Sequence, residues 1–592
     1  MKTQLQELLA HALDQILAGS DAARPAINLD ATKDAKFGDF QTNLALQLAK
    51  PLGKPPRAVA EALVAALPAS ASVTKVEIAG PGFINFFLNR TAFQNVIADV
   101  LAQGAQYGRD DSGTKGRIMV EFVSANPTGP MHVGHGRNAA YGDSIAKLLA
   151  ATGWTVWREY YINDAGRQVD ILAISVWLRY LELCGETLPF PKRGYPADYI
   201  RRTAAALRAT VGDTLKRSAA AVLDGVYAEP QVPDGASDAD KDRIKLQQEA
   251  YADVLITRAR ALLGDAGWET VKQTALAEQL GVIKKTLADF NVGFDQWSSE
   301  AALVKSGFVQ KALKRLADKG LTYEKDGALW MRTEAFGDEK DRVLIKADGA
   351  ATYFCNDLAY HVDKLDRGWP ILMDVWGADH HGYIARVRAA IEALTERKDA
   401  LNVQLIQFVT LSSGRMGKRS GNFVTLQDLI DEAGTDATRF FYLTRSHDQH
   451  LEFDIDLARS QSNDNPVYYV QYAHARICRV FEQLAEKGGR WKAEDAASTL
   501  HRLDTEHEKA LLTLLTRYPE VLRKAAAAYT PHTVVFYLKD LAEALHSYYN
   551  VHRFLVDDDT ELQNARLALI AATRQVLKNG LTILGVSAPE KM

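Results

Sequence analysis

The sequence predicts an α/β protein in three parts, with a parallel-sheet domain between an α+β domain and an all-α domain. Three observations carry this. The chain has 592 residues, 24% charged and 47% hydrophobic, a globular composition in a length too great for one hydrophobic core. Gly116 to Ile162 reads strand, turn, helix, strand, the unit from which parallel sheets are built. From about residue 456 strand signals stop and long helical patterns run on. The boundaries fall at 1–110, 111–455 and 456–592.

The first part opens on "MKTQLQELLAHALDQILAGS", where Leu5, Leu8, Leu9, Leu13 and Ile16 make an apolar helix face that Gly19 ends. Gln6, Glu7 and Asp14 interrupt any signal-peptide core. "KVEIAGPGFINFFLN" (Lys75–Asn89) reads as a hairpin turned by Gly80-Pro81-Gly82. In the second part "GRIMVEFVS" (Gly116–Ser124) is apolar and β-branched enough for a buried parallel strand. Asn126-Pro127 and Gly129-Pro130 break it, a helix runs from about His135 to a stop at Gly153, and "WTVWREYYI" is the next strand. Residues 186–275, rich in Ala, Asp, Lys and Arg, read as a helical insertion. "PILMDVWG" is a strand ending at Gly377, and "VQLIQFVTL" another. The third part begins with "NPVYYVQYAHARICRVFEQL". Its Val470, Ala473, Ile477, Phe481 and Leu484 form an apolar face, and Tyr468, Tyr472, Arg476 and Arg479 form another.

Composition excludes some classes. The net charge of −4 gives no overall nucleic-acid signal, so an RNA partner would be met by local patches. No apolar run approaches the roughly 20 residues that span a bilayer. Three cysteines without a leader imply a cytoplasmic protein with free thiols, and supply no Cys-x-x-Cys for zinc.

Chemistry concentrates at strand ends. In "SANPTGPMHVGHGRNAA" (Ser124–Ala140), His132 and His135 sit three apart at a helix start, where unpaired N–H groups favour phosphate. They read as phosphate donors or as plain helix caps. "LSSGRMGKRSGNFVTLQDLI" (Leu411–Ile430) is a cationic, glycine-rich flap with Arg415, Lys418 and Arg419, suited to neutralising transferred phosphates. Asp379 and His380 follow the strand that ends at Gly377. Glu121 and Asn126 flank the first strand end, while Tyr353 and Asp357 share a face if their segment is helical. Two carboxylates and a phenol suit a planar guanidinium, or serve as caps and surface charge. The tyrosine–arginine face of the C-terminal helix suits unpaired bases, or packs on neighbouring helices.

The His-Val-Gly-His segment resembles the first signature of class I aminoacyl-tRNA synthetases, and Arg415-Met416-Gly417-Lys418-Arg419 resembles the second. Over nearly the whole chain, "EFVSANPTGPMHVGHGRNAAYGD", "YYINDAGRQ", "VWGADHHGY", "RMGKRSGNFVTLQDLIDE" and "YYVQYAHARI" resemble bacterial arginyl-tRNA synthetases. "KFGDFQTNLA" and "EIAGPGFINFFL" resemble that family's N-terminal domain, which contacts the outer corner of the tRNA. The resemblance implies a Rossmann-type catalytic domain, a helical anticodon-binding domain and ligation of arginine to tRNA(Arg) through an arginyl-adenylate. ATP enters with Mg2+ as substrate, zinc is not implied, and a monomer is expected. By the same resemblance Glu121, Asn126, Tyr353 and Asp357 hold arginine. Pro127, Gly129, His132, Gly134, His135, Gly377, Asp379, His380, Met416 and Lys418 hold ATP, with His132, His135 and Lys418 catalytic. Tyr468, Tyr472, Arg476 and Arg479 meet tRNA. Arginine and glycine stand in the second signature where the family has its first lysine and first serine, which leaves the role of Arg415 open.

Overall fold

Five parallel strands form the centre of the computed structural model, which describes residues 2–20, 22–32, 35–412 and 424–592. They are β1 (Gly116–Glu121), β2 (Trp154–Ile162), β3 (Gln296–Ser299), β4 (Ile371–Gly377) and β5 (Leu401–Ile406), in the order β5-β4-β1-β2-β3. The sheet grows from β1 in both directions, so the chain reverses its progression between β1 and β4. In a parallel sheet this leaves a crevice beyond the carboxyl ends of those strands. Register sets Asp374 of β4 beside Glu121 of β1.

The Val133–Ala150 helix, α1, follows β1 and is buried over most of its length from Gly136 onward. Close approach is built into its sequence, since a Cβ on Gly142 would fall 2.3 Å from the Phe122 ring. Its Asn138 accepts from the Val123 N–H at 2.7 Å and donates to the Val375 carbonyl at 3.0 Å, tying together the chain beyond β1 and the end of β4. Val123 and Ser124 there have φ of 68° and 40°. Non-glycine residues in that region cost about 1–3 kcal/mol each and need surrounding structure to hold them. The Asn138 bond is one such restraint.

The expected strand over "VQLIQFVTL" is two. Leu401–Ile406 joins the central sheet, whereas Val409–Leu411 pairs with Leu451–Phe453. The break lies at Gln407, whose N–H donates to the His447 carbonyl and whose own carbonyl accepts from Arg137 of α1 at 2.9 Å. A tertiary contact thus overrides a continuous apolar pattern.

Around the expected insertion, the Asp198–Val211, Ala219–Leu223 and Asp238–Asp289 helices share a core with the Arg167–Leu183 helix. The Asp238–Asp289 stretch, two helical pieces kinked at the non-helical Gly264, continues past residue 275 because Ile283 and Leu287 are buried in the central core. The N-terminal segment has a separate core, in which an antiparallel sheet of four strands packs on helices through Leu5, Leu9, Leu13, Leu44 and Phe86.

Two more elements frame the site: α2 (Tyr353–Asp366) and α3 (Thr435–Tyr442). Residues 466–592 are helical apart from their connections, beginning with α4 (Pro466–Glu486) and ending with α5 (Thr560–Leu584), and their core runs on into that of the central sheet. Arg439 of α3 crosses this junction fully buried. Its guanidinium donates to Asp143 of α1 at 2.5 Å, to the Phe290 and Asn291 carbonyls at 2.9 and 3.2 Å, and to the Leu584 carbonyl at 2.9 Å. Among the described residues no helix is long and apolar enough to cross a membrane.

Candidate active site

A cavity of about 1100 Å³ opens beyond the carboxyl ends of β1 and β4. Glu121, Asn126, His132, Gly134, His135, Tyr353, Asp357, Gly377, Asp379 and His380 all line it. Pro127 and Gly129 do not. Pro127 is buried within the loop, and a Cβ on Gly129 would lie 2.7 Å from the Tyr199 hydroxyl, which donates to the Thr128 carbonyl at 2.8 Å. These two residues shape the loop from behind, a role set by Tyr199 seventy residues later. Arg415, Met416 and Lys418 lie outside the described residues. Leu411 and Val424, on either side of that segment, line the cavity.

The two histidines are fixed by the start of α1. His132 is its N-cap, and its Nδ1 accepts the Gly134 N–H at 3.0 Å. His135 folds back so that its Nδ1 accepts the His132 N–H at 3.2 Å, and the rings stack at 3.7 Å. Capping therefore uses Nδ1 of each ring and leaves Nε2 available for donation. With Nδ1 accepting on both rings, each neutral imidazole carries its proton on Nε2 as a donor. Burial lowers the pKa of both, and for His135, with His132 beside it, to about 3. Gly134 leaves room for this arrangement, since a Cβ there would come within 3.0 Å of the His132 ring. The turn is braced from outside. Tyr442 of α3 donates to the Val133 carbonyl at 2.8 Å, and the Leu426 N–H to the Met131 carbonyl at 2.8 Å.

At the rim, Asn126 exchanges hydrogen bonds with Gln168 and Asn163. Asp379 and His380 are exposed, and Gly377 is placed where a Cβ would meet the Asp379 carboxylate.

Carboxylates dominate the far side. Tyr353 and Asp357 stand one turn apart on α2, both facing the cavity. Tyr353 is 92% exposed, so its ring is free to cover a bound molecule. Asp357 has no ion-pair partner among the described residues. Burial pushes its carboxyl up, with His361 and the Tyr383 hydroxyl partly offsetting this. Glu121 differs. Its Oε2 accepts from Lys364 at 2.5 Å and its Oε1 from Ser124 Oγ at 2.8 Å. Lys364 is fully buried and also donates to Asp374 at 3.1 Å. Sequence reasoning named Glu121 and passed over Lys364, His361 and Asp374. Two signals were available: residues 357, 361 and 364 recur on one helical face, and Asp374 interrupts an apolar strand.

On α4, Tyr468 and Tyr472 stack at 5.8 Å, and Tyr472 stacks on His546 at 5.7 Å. The Arg476 guanidinium lies 3.8 Å over the Tyr549 ring. Arg479 does not join them. It turns to Glu482 and Glu486, at 3.1 and 2.8 Å, because both acids lie within two turns on its own helix.

Known proteins resemble this chain over its whole length. The family described as "tRNA synthetases class I (R), catalytic domain" matches residues 96–182 and 225–452, "Arginyl tRNA synthetase N terminal domain" matches 3–88, and "DALR anticodon binding domain" matches 470–592. The arginine--tRNA ligase of Thioalkalivibrio sulfidiphilus is 51% identical over 601 residues, covering 100% of both chains. The chain belongs to the arginyl-tRNA synthetase family. Another synthetase of this kind, the arginine--tRNA ligase of Legionella pneumophila (strain Paris), is 47% identical over the full length of both chains. The solved arginyl-tRNA synthetase of Thermus thermophilus is 25% identical, with a TM-score of 0.74 and full coverage of both chains. The cavity at the β1/β4 crevice is thus the candidate active site of an arginyl-tRNA synthetase, with the two imidazoles on one side and Asp357 on the other.

Proposed function

We propose that this cavity joins L-arginine to tRNA(Arg) at the expense of ATP, through an arginyl-adenylate, in support of protein synthesis. The observation that carries this reading is the pairing, across one cavity, of two Nε2–H donors at a helix N-terminus with a carboxylate that has no ion-pair partner among the described residues. Asp357, with Tyr353 covering it, accepts the guanidinium; planar donors match a carboxylate in a way that an ammonium does not. Asn126 and Glu121 orient the amino-acid end, Glu121 while held by Lys364. The arginine carboxylate attacks the α-phosphate, pyrophosphate leaves, and the terminal ribose hydroxyl of the tRNA then takes the arginyl group. His132 and His135 donate to phosphate oxygens as charge develops, with Gly134 allowing their approach. Gly377, Asp379, His380, Met416 and Lys418 complete the ATP side. ATP enters with Mg2+ as counter-ion, and no zinc is invoked.

The division at 1–110, 111–455 and 456–592 assigns the tRNA corner, the chemistry and the anticodon arm in turn, with the helical insertion at about 186–275 inside the second. Tyr468, Tyr472 and Arg476 supply stacking and phosphate contacts for unpaired bases. The enzyme works as a monomer in the cytoplasm, where the buried, unpaired Cys184, Cys355 and Cys478 suit a reducing environment. Arginine-dependent ATP–pyrophosphate exchange and charging of tRNA(Arg), each run with all twenty amino acids, test the reading. Arginine alone should be used at a substantial rate, and preferred use of another amino acid would overturn it.

A further inference from the structure

Beneath the arginine end of the cavity runs a chain of five ionisable groups from three elements, with His361, Lys364 and Asp374 buried and Glu121 and Asp357 half-buried. His361 of α2 faces an acceptor on each ring nitrogen: Nδ1 lies 2.7 Å from the Asp357 carbonyl, and Nε2 lies 2.7 Å from Asp374 Oδ2 on β4. A carbonyl cannot donate, and neither can a carboxylate whose other oxygen is already taken by Lys364. Both ring nitrogens must therefore carry protons. The side chains of His361 and Asp374 are 4% and 1% exposed. Burial opposes the charge on His361, and the Asp374 carboxylate outweighs it. Lys364 continues the chain to Glu121 of β1, whose two oxygens both accept. Two cations thus balance Glu121 and Asp374, and Asp357 alone of the five has no ion-pair partner among the described residues.

We propose that His361 is a positioning residue for arginine, an imidazolium that ties the Asp357 turn of α2 to β4 and leaves Asp357 as the one uncancelled charge of the five. This rests on the reading of Asp357 as the guanidinium acceptor. If His361 loses a proton, Nε2–H keeps the charge-assisted bond to Asp374, and the Nδ1 lone pair then faces the Asp357 carbonyl. The turn carrying Tyr353 and Asp357 is released, and arginine binds more weakly. The groups facing the ring are Asp374 from β4 and Asp357 and Lys364 from α2, with Glu121 of β1 beyond Lys364.

The test uses the full-length enzyme. With 15N-labelled histidine, one ring should show protons on both nitrogens at neutral pH and should disappear in H361Q. In pyrophosphate exchange run with tRNA present, H361Q should raise KM for arginine by about tenfold or more, as expected for losing hydrogen bonds to a charged group, with KM for ATP unchanged. The wild-type advantage over H361Q should shrink as pH rises, whereas ionisation of free arginine would affect both proteins alike. H361N, which keeps a donor near the Asp357 carbonyl, repeats the measurement should H361Q fold poorly. A singly protonated His361 ring, or equal effects on arginine and ATP, would overturn the proposal while leaving the enzyme an arginine user. Failure of the wild type to use arginine would instead overturn the reading on which it rests.

Discussion

Replacing Asp357 by asparagine keeps the shape of the side chain and removes the charge. Losing one partner of a buried ion pair costs about 3–5 kcal/mol, which corresponds to a fall of roughly 150- to 5000-fold in arginine use. The cavity is open to water, so the lower end of that range applies and a loss of about a hundredfold or more is expected. Stability should move the other way. Burial raises the Asp357 carboxyl above its ordinary value in the folded protein. A carboxyl with a raised folded pKa binds more protons when folded than when unfolded, so it lowers stability as pH rises from the ordinary carboxyl range through the folded pKa. Asparagine lacks this penalty. The free Asp357→Asn enzyme should therefore unfold at a higher temperature than wild type at pH 7, and its inactivity is not a folding defect. The assay is kcat/KM for arginine and for citrulline, a neutral isostere, in pyrophosphate exchange with tRNA present, paired with thermal unfolding. Citrulline should lose much less than arginine. An unchanged arginine rate, or equal losses for the two, would refute the assignment and place the guanidinium elsewhere.

His132→Ala and His135→Ala should each slow adenylate formation at least tenfold, since one donor to developing charge is worth roughly 2.7–4 kcal/mol; wild-type single-turnover rates would contradict this. Both rings have lowered pKa values, His135 about 3, so His135 is uncharged at neutrality and should add no ionisation to the rate profile between about pH 7 and 9. Lys418→Ala should lose more exchange activity than Arg415→Ala, because the second signature places its final lysine at 418; the reverse order would name the wrong cation. Arg439→Met should destabilise the whole chain by about 3–5 kcal/mol, as it strips three carbonyls and Asp143 of a buried donor set. An unchanged denaturant midpoint would show that the junction of sheet and C-terminal helices is held by apolar packing alone.

What the sequence determined by itself was local and periodic. Strand β2 coincides with "WTVWREYYI", and the hairpin over 75–89 and the apolar face of α4 stand where their patterns put them, because side-chain alternation and helical spacing are properties of adjacent residues. The stacking of His132 on His135 follows from an i,i+3 spacing and was legible for the same reason. Partnership across the fold was not. Glu121 reads as a free acceptor until β4 and α2 bring Asp374 and Lys364 to it. His361 is one more polar residue on a helix until an acceptor stands at each end of its ring. Arg137 and Arg439, two cations in helical patterns, prove to be fully buried and bound to carbonyls more than a hundred residues away. "VQLIQFVTL" breaks at Gln407 for the same reason. A charge's surroundings, hence its partner and its ionisation, are set by residues distant in the chain, and only packing brings those together.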